Sequence, residues 1–267
     1  MHAEQRVLVT RPAGQADGLI ACLRDLGLAV THLPMLVLET IDPLPGADRQ
    51  RLLDLDNYDD LIFISANAAQ YGVAAIRDYW PQFPVRQQYW AVGASTAAVL
   101  SAEGLTAQYP ASNMSSEGLL ALPGLQDPGE RRMLIIKGEG GRDALRAALA
   151  GRGARVDTLS CYRRRAPDLD AAEYRDAWGD DPPQLLLVSS GEGLENLARL
   201  LSPGENTNVA HTTIIVPSAR VAEQADALGW RDIRRAENAS DAAVLVAVEA
   251  WLRDAGRESF GENSSID

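Results

Sequence analysis

Arg6-Val-Leu-Val-Thr-Arg-Pro-Ala-Gly-Gln-Ala-Asp-Gly-Leu19 is answered later in the chain, without a gap, by Arg132-Met-Leu-Ile-Ile-Lys-Gly-Glu-Gly-Gly-Arg-Asp-Ala-Leu145. The offset of 126 sets Arg11 on Lys137, Gly14 on Gly140, Asp17 on Asp143, Leu23 on Leu149 and Gly27 on Gly153. Two further matches follow at an offset of 124: Leu61-Ile-Phe-Ile-Ser65 on Leu185-Leu-Leu-Val-Ser189, and Val92-Gly93 on Val216-Pro217. Each matched segment is a short apolar run that opens a helical period, so the chain states one α/β plan twice. Two copies of one plan predict two similar lobes, with a ligand in the cleft between them.

Outward from these segments the alternation continues. Strand-like apolar runs fall at 7–10, 30–36, 61–65, 89–92, 133–137, 156–162, 185–189, 213–216 and, weakly, 232–235. Helical periods fall at 15–26, 68–78, 95–102, 116–121, 142–152, 194–201, 220–228 and 239–255. Strands that are apolar throughout and alternate with helices predict parallel sheets covered on both faces. Polar, proline-containing stretches at 42–48, 126–130, 167–170 and 180–183 read as loops or linkers, and the residues after Arg253 as a loose tail.

The bulk numbers narrow the function. At 267 residues the chain has room for two domains, each with its own core. With 25 basic against 37 acidic residues the net charge is −12, which repels phosphate backbones and argues against nucleic acid as a partner. No apolar run reaches bilayer length, and no basic-then-apolar leader opens the chain, so a cytoplasmic home and no membrane partner are expected. Cys22 and Cys161 make no disulfide framework and read as buried small apolar residues. His2, His32 and His211 have no metal spacing, so neither metal nor cofactor is expected. No long apolar surface stripe is evident, and a monomer is expected.

In an open α/β sheet, ligands sit where strand ends feed helix N-termini. Those ends here are Thr10-Arg11-Pro12, Lys137-Gly138-Glu139-Gly140-Gly141-Arg142, Ser65-Ala66-Asn67, Ser189-Ser190-Gly191, Gly93-Ala94-Ser95-Thr96 and Pro217-Ser218-Ala219-Arg220. Hydroxyls, glycines and a few cations suit an anion, because glycine lets backbone N–H groups approach and each helix start carries a partial positive charge. Any single Ser or Thr there is also an ordinary helix cap; recurrence at all six ends favours binding. The Lys137–Arg142 stretch fits neither the dinucleotide nor the P-loop fingerprint. A nucleophile elbow and a spaced carboxylate pair are likewise missing. An enzyme built this way positions a reactive substrate rather than attacking it. Tyr162 stands apart: the offset of 126 puts it where the first copy has Leu36.

Val9-Thr-Arg-Pro12, Phe63-Ile-Ser-Ala-Asn67, Val92-Gly-Ala-Ser-Thr-Ala97, Gly138 to Leu145, Cys161-Tyr-Arg163, Val188-Ser-Ser-Gly191 and Val216-Pro-Ser218 together resemble the uroporphyrinogen-III synthases, over about residues 6–252. The resemblance implies two α/β lobes joined by a two-stranded connector: residues 1–36 with 167–267, and 40–162, with connector strands near 35–39 and 162–166. It implies a hydro-lyase that closes hydroxymethylbilane, a linear tetrapyrrole, to uroporphyrinogen III with loss of water and inversion of the terminal ring, in haem biosynthesis. It makes Tyr162 the residue that helps the substrate hydroxyl leave. Arg11, Ser65, Asn67, Gly93, Ser95, Thr96, Lys137, Gly138, Gly140, Arg142, Ser189, Ser190, Gly191, Pro217, Ser218 and Arg220 become the substrate-binding set. The same resemblance allows transient contact with the preceding pathway enzyme. Two departures stand out: Ile64 where many relatives have Thr, and Pro217-Ser-Ala-Arg220 where Gly-x-x-Thr-Ala is usual. Arg220 is then an extra anion contact, unless the alignment slips by one residue there. The competing reading is a non-catalytic two-lobed binding protein or sensor for a small anion.

Overall fold

The repeat is visible in a computed structural model of the chain, which describes residues 5–141, 143–178, 182–201 and 212–261. The first copy runs β1 (Arg6–Val9), α1 (Asp17–Asp25), β2 (Ala29–His32), β3 (Val37–Thr40), α2 (Gly46–Leu53), β4 (Asp60–Phe63), α3 (Ala66–Arg77), β5 (Gln88–Ala91), α4 (Ala94–Ala102), β6 (Ala107–Gln108), α5 (Ser116–Leu120) and α6 (Pro123–Gln126). The second runs β7 (Arg132–Gly138), α7 (Ala144–Gly151), β8 (Arg155–Arg165), α8 (Ala171–Trp178), β9 (Leu185–Leu187), α9 (Gly191–Leu200), β10 (Thr213–Val216), α10 (Ala219–Ala227), β11 (Ile233–Arg235) and α11 (Asp241–Gly261).

The chain divides into two compact units, Met1–Val37 with Arg165–Asp267, and Leu38–Arg164. The first unit holds a sheet of order β11-β10-β9-β1-β2, the second a sheet of order β3-β8-β7-β4-β5-β6. Strands β2-β1-β9-β10-β11 and β8-β7-β4-β5-β6 pair in parallel throughout. Each sheet therefore joins the opening strand pair of one copy to the later strands of the other.

Register shows how the copies correspond. Arg6 pairs with Ala29 and Arg132 with Arg155, which keeps the offset of 126 for the opening segment. Val7 pairs with Leu185 while Met133 pairs with Asp60, so the later segments are offset by 125 (185 − 60), not 124. Helix caps agree: Ser65 Oγ accepts from Ala68 N, and Ser190 Oγ accepts from Gly193 N. Ser65 thus matches Ser190 rather than Ser189. Gly93 matches Ser218, since each is the residue before its helix.

Alternation along the strands divides each unit into two cores. In the first unit Val7, Val9, Leu185, Leu187 and Ile215 pack with α1 and α11, while Leu8, Leu186, Ile214 and Val216 pack with Tyr174, Trp178, Leu194, Leu197 and Trp230. In the second, Ile62, Trp90, Met133 and Ile135 pack with Leu119, Leu125, Leu145 and Leu149. On its opposite face Leu61, Phe63, Leu134, Ile136 and Leu159 pack with Leu52, Val73, Ile76 and Leu100. Both faces of each sheet are covered, which is why the strands are apolar throughout.

Several sequence boundaries move, each for a local reason. The strand expected over 30–36 ends at His32 as β2, shortly before Pro34, which has no N–H for a ladder, and β3 begins only at Val37. β8 extends past Tyr162 to Arg165 because β3 lies beside it, and Ile41 N donates to Cys161 O at 3.1 Å. The loop expected at 42–48 already contains the start of α2, with Pro45 as its N-cap. Helix α8 has no counterpart among the expected elements, although Tyr174 and Trp178, four residues apart, are both buried. Helix α11 continues to Gly261, beyond the expected start of the tail. Cys161 is buried as expected, but Cys22, on α1, is exposed.

Candidate active site

The carboxyl ends of β7, β4 and β5 follow one another across the second unit, carrying Gly138, Ser65 and Gly93, and Tyr162 of β8 lies opposite Gly138. Ser65 is fully extended at φ −166°, which turns its hydroxyl back over the first turn of α3, and the oxygen accepts from Ala68 N at 3.0 Å. That leaves the Ser65 hydroxyl proton free to be given away. Gly93 caps α4 without a side chain and is buried, with the Met114 side chain lying where a Cβ would go. Asn67 is half-buried in the first turn of α3, Ser95 is exposed on α4, and Thr96 is buried beneath it.

Tyr162 is the residue most firmly held. It is 3% exposed, and its ring stacks on that of Tyr71 with centroids 5.0 Å apart and planes at 24°. Its Oη lies 3.5 Å from Ser65 Oγ, long for a pair of hydroxyls, so neither group is saturated by the other. The Tyr71 hydroxyl donates to Leu38 O at 3.2 Å. Burial, then the neighbouring Tyr162 and Cys161, raise the Tyr71 pKa above its usual value, so this phenol stays protonated. Cys161 donates its thiol to Lys137 O at 3.4 Å, and burial pushes that thiol up to about 12, which leaves no thiolate near neutral pH.

Strand β7 alternates, and its two faces differ in use. Ile136 packs on the Tyr162 side, and a Cβ on Gly138 would point at the Tyr162 ring. Ile135 and Lys137 line the other side, a cavity of about 210 Å³ shared with Ile64, Ser115, Asp143 and Arg146. Asp143 and Arg146 pair there, and the Arg146 hydrogen bond holds the Asp143 carboxyl below its usual range. Gly140 and Gly141, at φ +74° and +83°, form the exposed turn between β7 and α7, a conformation open to glycine at little cost. Arg142 lies outside the described residues.

In the first unit, β1, β9 and β10 end side by side in Thr10-Arg11, Ser189-Ser190 and Pro217-Ser218. Ser190 caps α9 through Gly193 N at 3.1 Å, and Ser218 caps α10 through Val221 N at 3.4 Å. Gly191 is buried against Gln224, whose side-chain oxygen would clash with a Cβ there. Ser189 and Pro217 are half-buried, and Ser218 is exposed. Arg11, expected in the substrate-binding set, is 9% exposed and makes contacts within the unit. It forms an ion pair with Asp241 and donates to Ala239 O at 2.7 Å. Arg220 is exposed on α10, and the offset of 125 places it opposite Ser95, with Val221 opposite Thr96. The alignment therefore slips by one there, and Arg220 has no claim to the position of Thr96.

Sequence reasoning misses Tyr71, Ser115 and Ser116 at this site. The last two precede or open α5 much as Ser65 precedes α3, so the helix-cap signal is present for them. Tyr71 has no signal, because its contact with Tyr162 joins residues far apart in sequence.

Comparison with known proteins settles the family. The family model described as uroporphyrinogen-III synthase HemD matches residues 17–245. The uroporphyrinogen-III synthase of Escherichia coli (strain K12) is 34% identical over 248 residues, spanning 91% of this chain and 99% of the relative. That of Salmonella typhimurium is 35% identical over 247 residues, with the same coverage. A mutant uroporphyrinogen III synthase from the extremely thermophilic bacterium Thermus thermophilus shares the fold with a TM-score of 0.59 at 16% identity, covering 93% of this chain and 99% of that one. The Helicobacter pylori 26695 enzyme also reaches 0.59, at 13% identity, covering 92% and 99%. The chain belongs to the uroporphyrinogen-III synthase family.

Proposed function

We propose that this chain closes hydroxymethylbilane to uroporphyrinogen III, a hydro-lyase step that releases water and inverts the terminal pyrrole. The observation that carries the reading is a family match over nearly the whole chain, joined to a held tyrosine at the strand-end rim. None of the relatives named above is a non-catalytic anion-binding protein.

The chemistry fits the residues. Electrons of the terminal pyrrole expel the hydroxyl, which leaves as water once it has received a proton. The azafulvene so formed is attacked by the substituted α-carbon of the pyrrole at the other end of the chain. The bond from that carbon to its old methylene bridge then breaks, and the freed bridge re-forms a bond to the ring's other α-carbon as that carbon loses its proton. This turns the ring over and balances the proton spent on the departing water. Tyr162 donates the proton that the hydroxyl receives, a phenol hydroxyl being able to give a hydrogen bond and then its proton to a departing oxygen. The remaining work is holding a polycarboxylate bent, where orientation supplies much of the rate. Capping serines and the exposed Gly140–Gly141 turn offer hydroxyl and amide donors for carboxylates, in a chain whose net charge is −12.

The substrate is the small-molecule partner; a monomer working in the cytoplasm, with at most transient contact with the preceding enzyme, completes the proposal. Among the described residues no helix is long and apolar enough to cross a membrane. The test is to give the purified protein freshly made hydroxymethylbilane, oxidise the products and separate the type I and type III isomers. Type III in excess is the expected result. Type I alone, at the uncatalysed rate, would sink the proposal.

A further inference from the structure

The geometry points to Tyr71 as a positioning residue that fixes the Tyr162 ring, with Gly138 providing the space the ring occupies. The inference rests on the reading of Tyr162 as proton donor and extends it to the packing around that residue. A donor phenol must meet its acceptor at hydrogen-bond distance and a favourable angle. Tyrosine has two soft side-chain torsions, and the ring must be stopped from using them.

Two contacts do this within the second unit. Tyr71 lies against the face of Tyr162 in an offset stack, and its own position is secured by the hydrogen bond from its hydroxyl to Leu38 O. Helix α3 can bring Tyr71 so near because the next residue is Gly72, where a Cβ would clash with Ile136 Cγ2. A side chain at 72 would lift the helix off β7 and take Tyr71 with it. From β7 itself, a Cβ on Gly138 would fall 2.7 Å from Cζ, 2.9 Å from Cε2 and 3.0 Å from the hydroxyl of Tyr162. The missing side chain is therefore what lets the phenol end of the ring lie over the strand. β-Carbons do not approach other atoms this closely, so any larger residue at 138 must displace the ring.

The stack and the space are separable by mutation. Tyr71→Leu removes the stack, Tyr71→Phe keeps it while losing the bond to Leu38, and Gly138→Ala pushes on the ring from β7. Isomer-resolved turnover should fall about tenfold in kcat for Tyr71→Leu, with KM within about twofold, since a misplaced donor costs rate rather than binding. Tyr71→Phe should restore most of it. Gly138→Ala should lower kcat in the same way, and serves if Tyr71→Leu does not fold.

In a Tyr162→Phe background Tyr71→Leu should cost nothing further, because the effect runs through the phenol. Wild-type kcat in both Tyr71→Leu and Gly138→Ala, or an undiminished loss in the Tyr162→Phe background, overturns the inference. A wild-type rate in Tyr162→Phe itself would instead remove the proton-donor reading. The clamp would then be decided by NMR of ring-labelled tyrosine, with the Tyr162 signals identified by their loss in Tyr162→Phe. Separate signals for the two ring edges, merging in Tyr71→Leu, support it; signals already merged in the wild type refute it.

Discussion

Arg11 and Asp241 form an ion pair that ties the loop after β1 to the first turn of α11. The guanidinium is further bound by two backbone carbonyls, of Gln15 and Ala239. A cation so engaged serves its own unit before it serves a ligand.

Arg11→Met should therefore lower stability by about 1–2 kcal/mol, the range for losing charge-assisted hydrogen bonds at a partly exposed pair. Product affinity should stay within about twofold. Urea unfolding and a binding titration read the two quantities separately. A tenfold loss of affinity at unchanged stability would return Arg11 to the substrate.

Ser65 and Ser190 occupy equivalent places and cap equivalent helices, so their removal should cost alike in stability, about 1 kcal/mol each. Of the two, Ser65 also lies beside a phenol. Thermal melts should show Ser65→Ala and Ser190→Ala shifted by similar amounts, while kcat falls more in Ser65→Ala. Equal turnover in the two variants would mean that the Tyr162 contact carries no catalytic weight.

Asp60 begins β4 with 0% exposure, accepting from Trp90 Nε1 at 2.7 Å and from Arg131 at 3.0 Å. Burial raises its pKa above the usual 3.8; the Trp90 bond and the Arg131 charge oppose the rise without cancelling it. A carboxyl whose pKa is raised by folding binds more protons folded than unfolded, so its contribution to stability falls as pH rises above 3.8 and levels off beyond the folded-state pKa. Asp60→Asn keeps an acceptor for Trp90 and removes the titration. Relative to this variant, the wild type should lose stability as pH is raised from about 4 towards neutrality in parallel urea unfolding series. A difference that is flat across that range, or that grows in favour of the wild type, would refute the assignment.

Cys22 is exposed and Cys161 is buried with its thiol pushed up to about 12. One thiol should react with a disulfide reagent in the native protein and two after unfolding. Cys22→Ser should abolish the native reaction. Two reactive native thiols would show that the strand carrying Tyr162 opens readily.

Much of this was legible in the sequence because the strands are apolar on both faces and the opening segments repeat without a gap. The fault in the later match is instructive. Val188-Ser189-Ser190 offers two serines, and likeness alone sets Ser65 on the wrong one. The cap bond to the residue three further on picks out Ser190. That one-residue slip also carries Arg220 onto the position of Thr96. At the rim, residue type announces donors but not which are already engaged: Arg11 looks the same in sequence whether free or paired. Tyr71 was out of reach altogether, since a helix residue meets Tyr162 only after β4, β7 and β8 have come into register.

Because the first unit is assembled from two segments that flank the second, its timing during synthesis differs from that of its companion. Residues 38–164 emerge in one stretch, and their sheet can close while the ribosome is still at work. β1 is made before β9 and has to wait for it before its far edge is paired. The nascent polypeptide therefore carries an apolar strand with one open edge while all the residues between β1 and β9 are made, and that edge is where a chaperone or an aggregate would take hold.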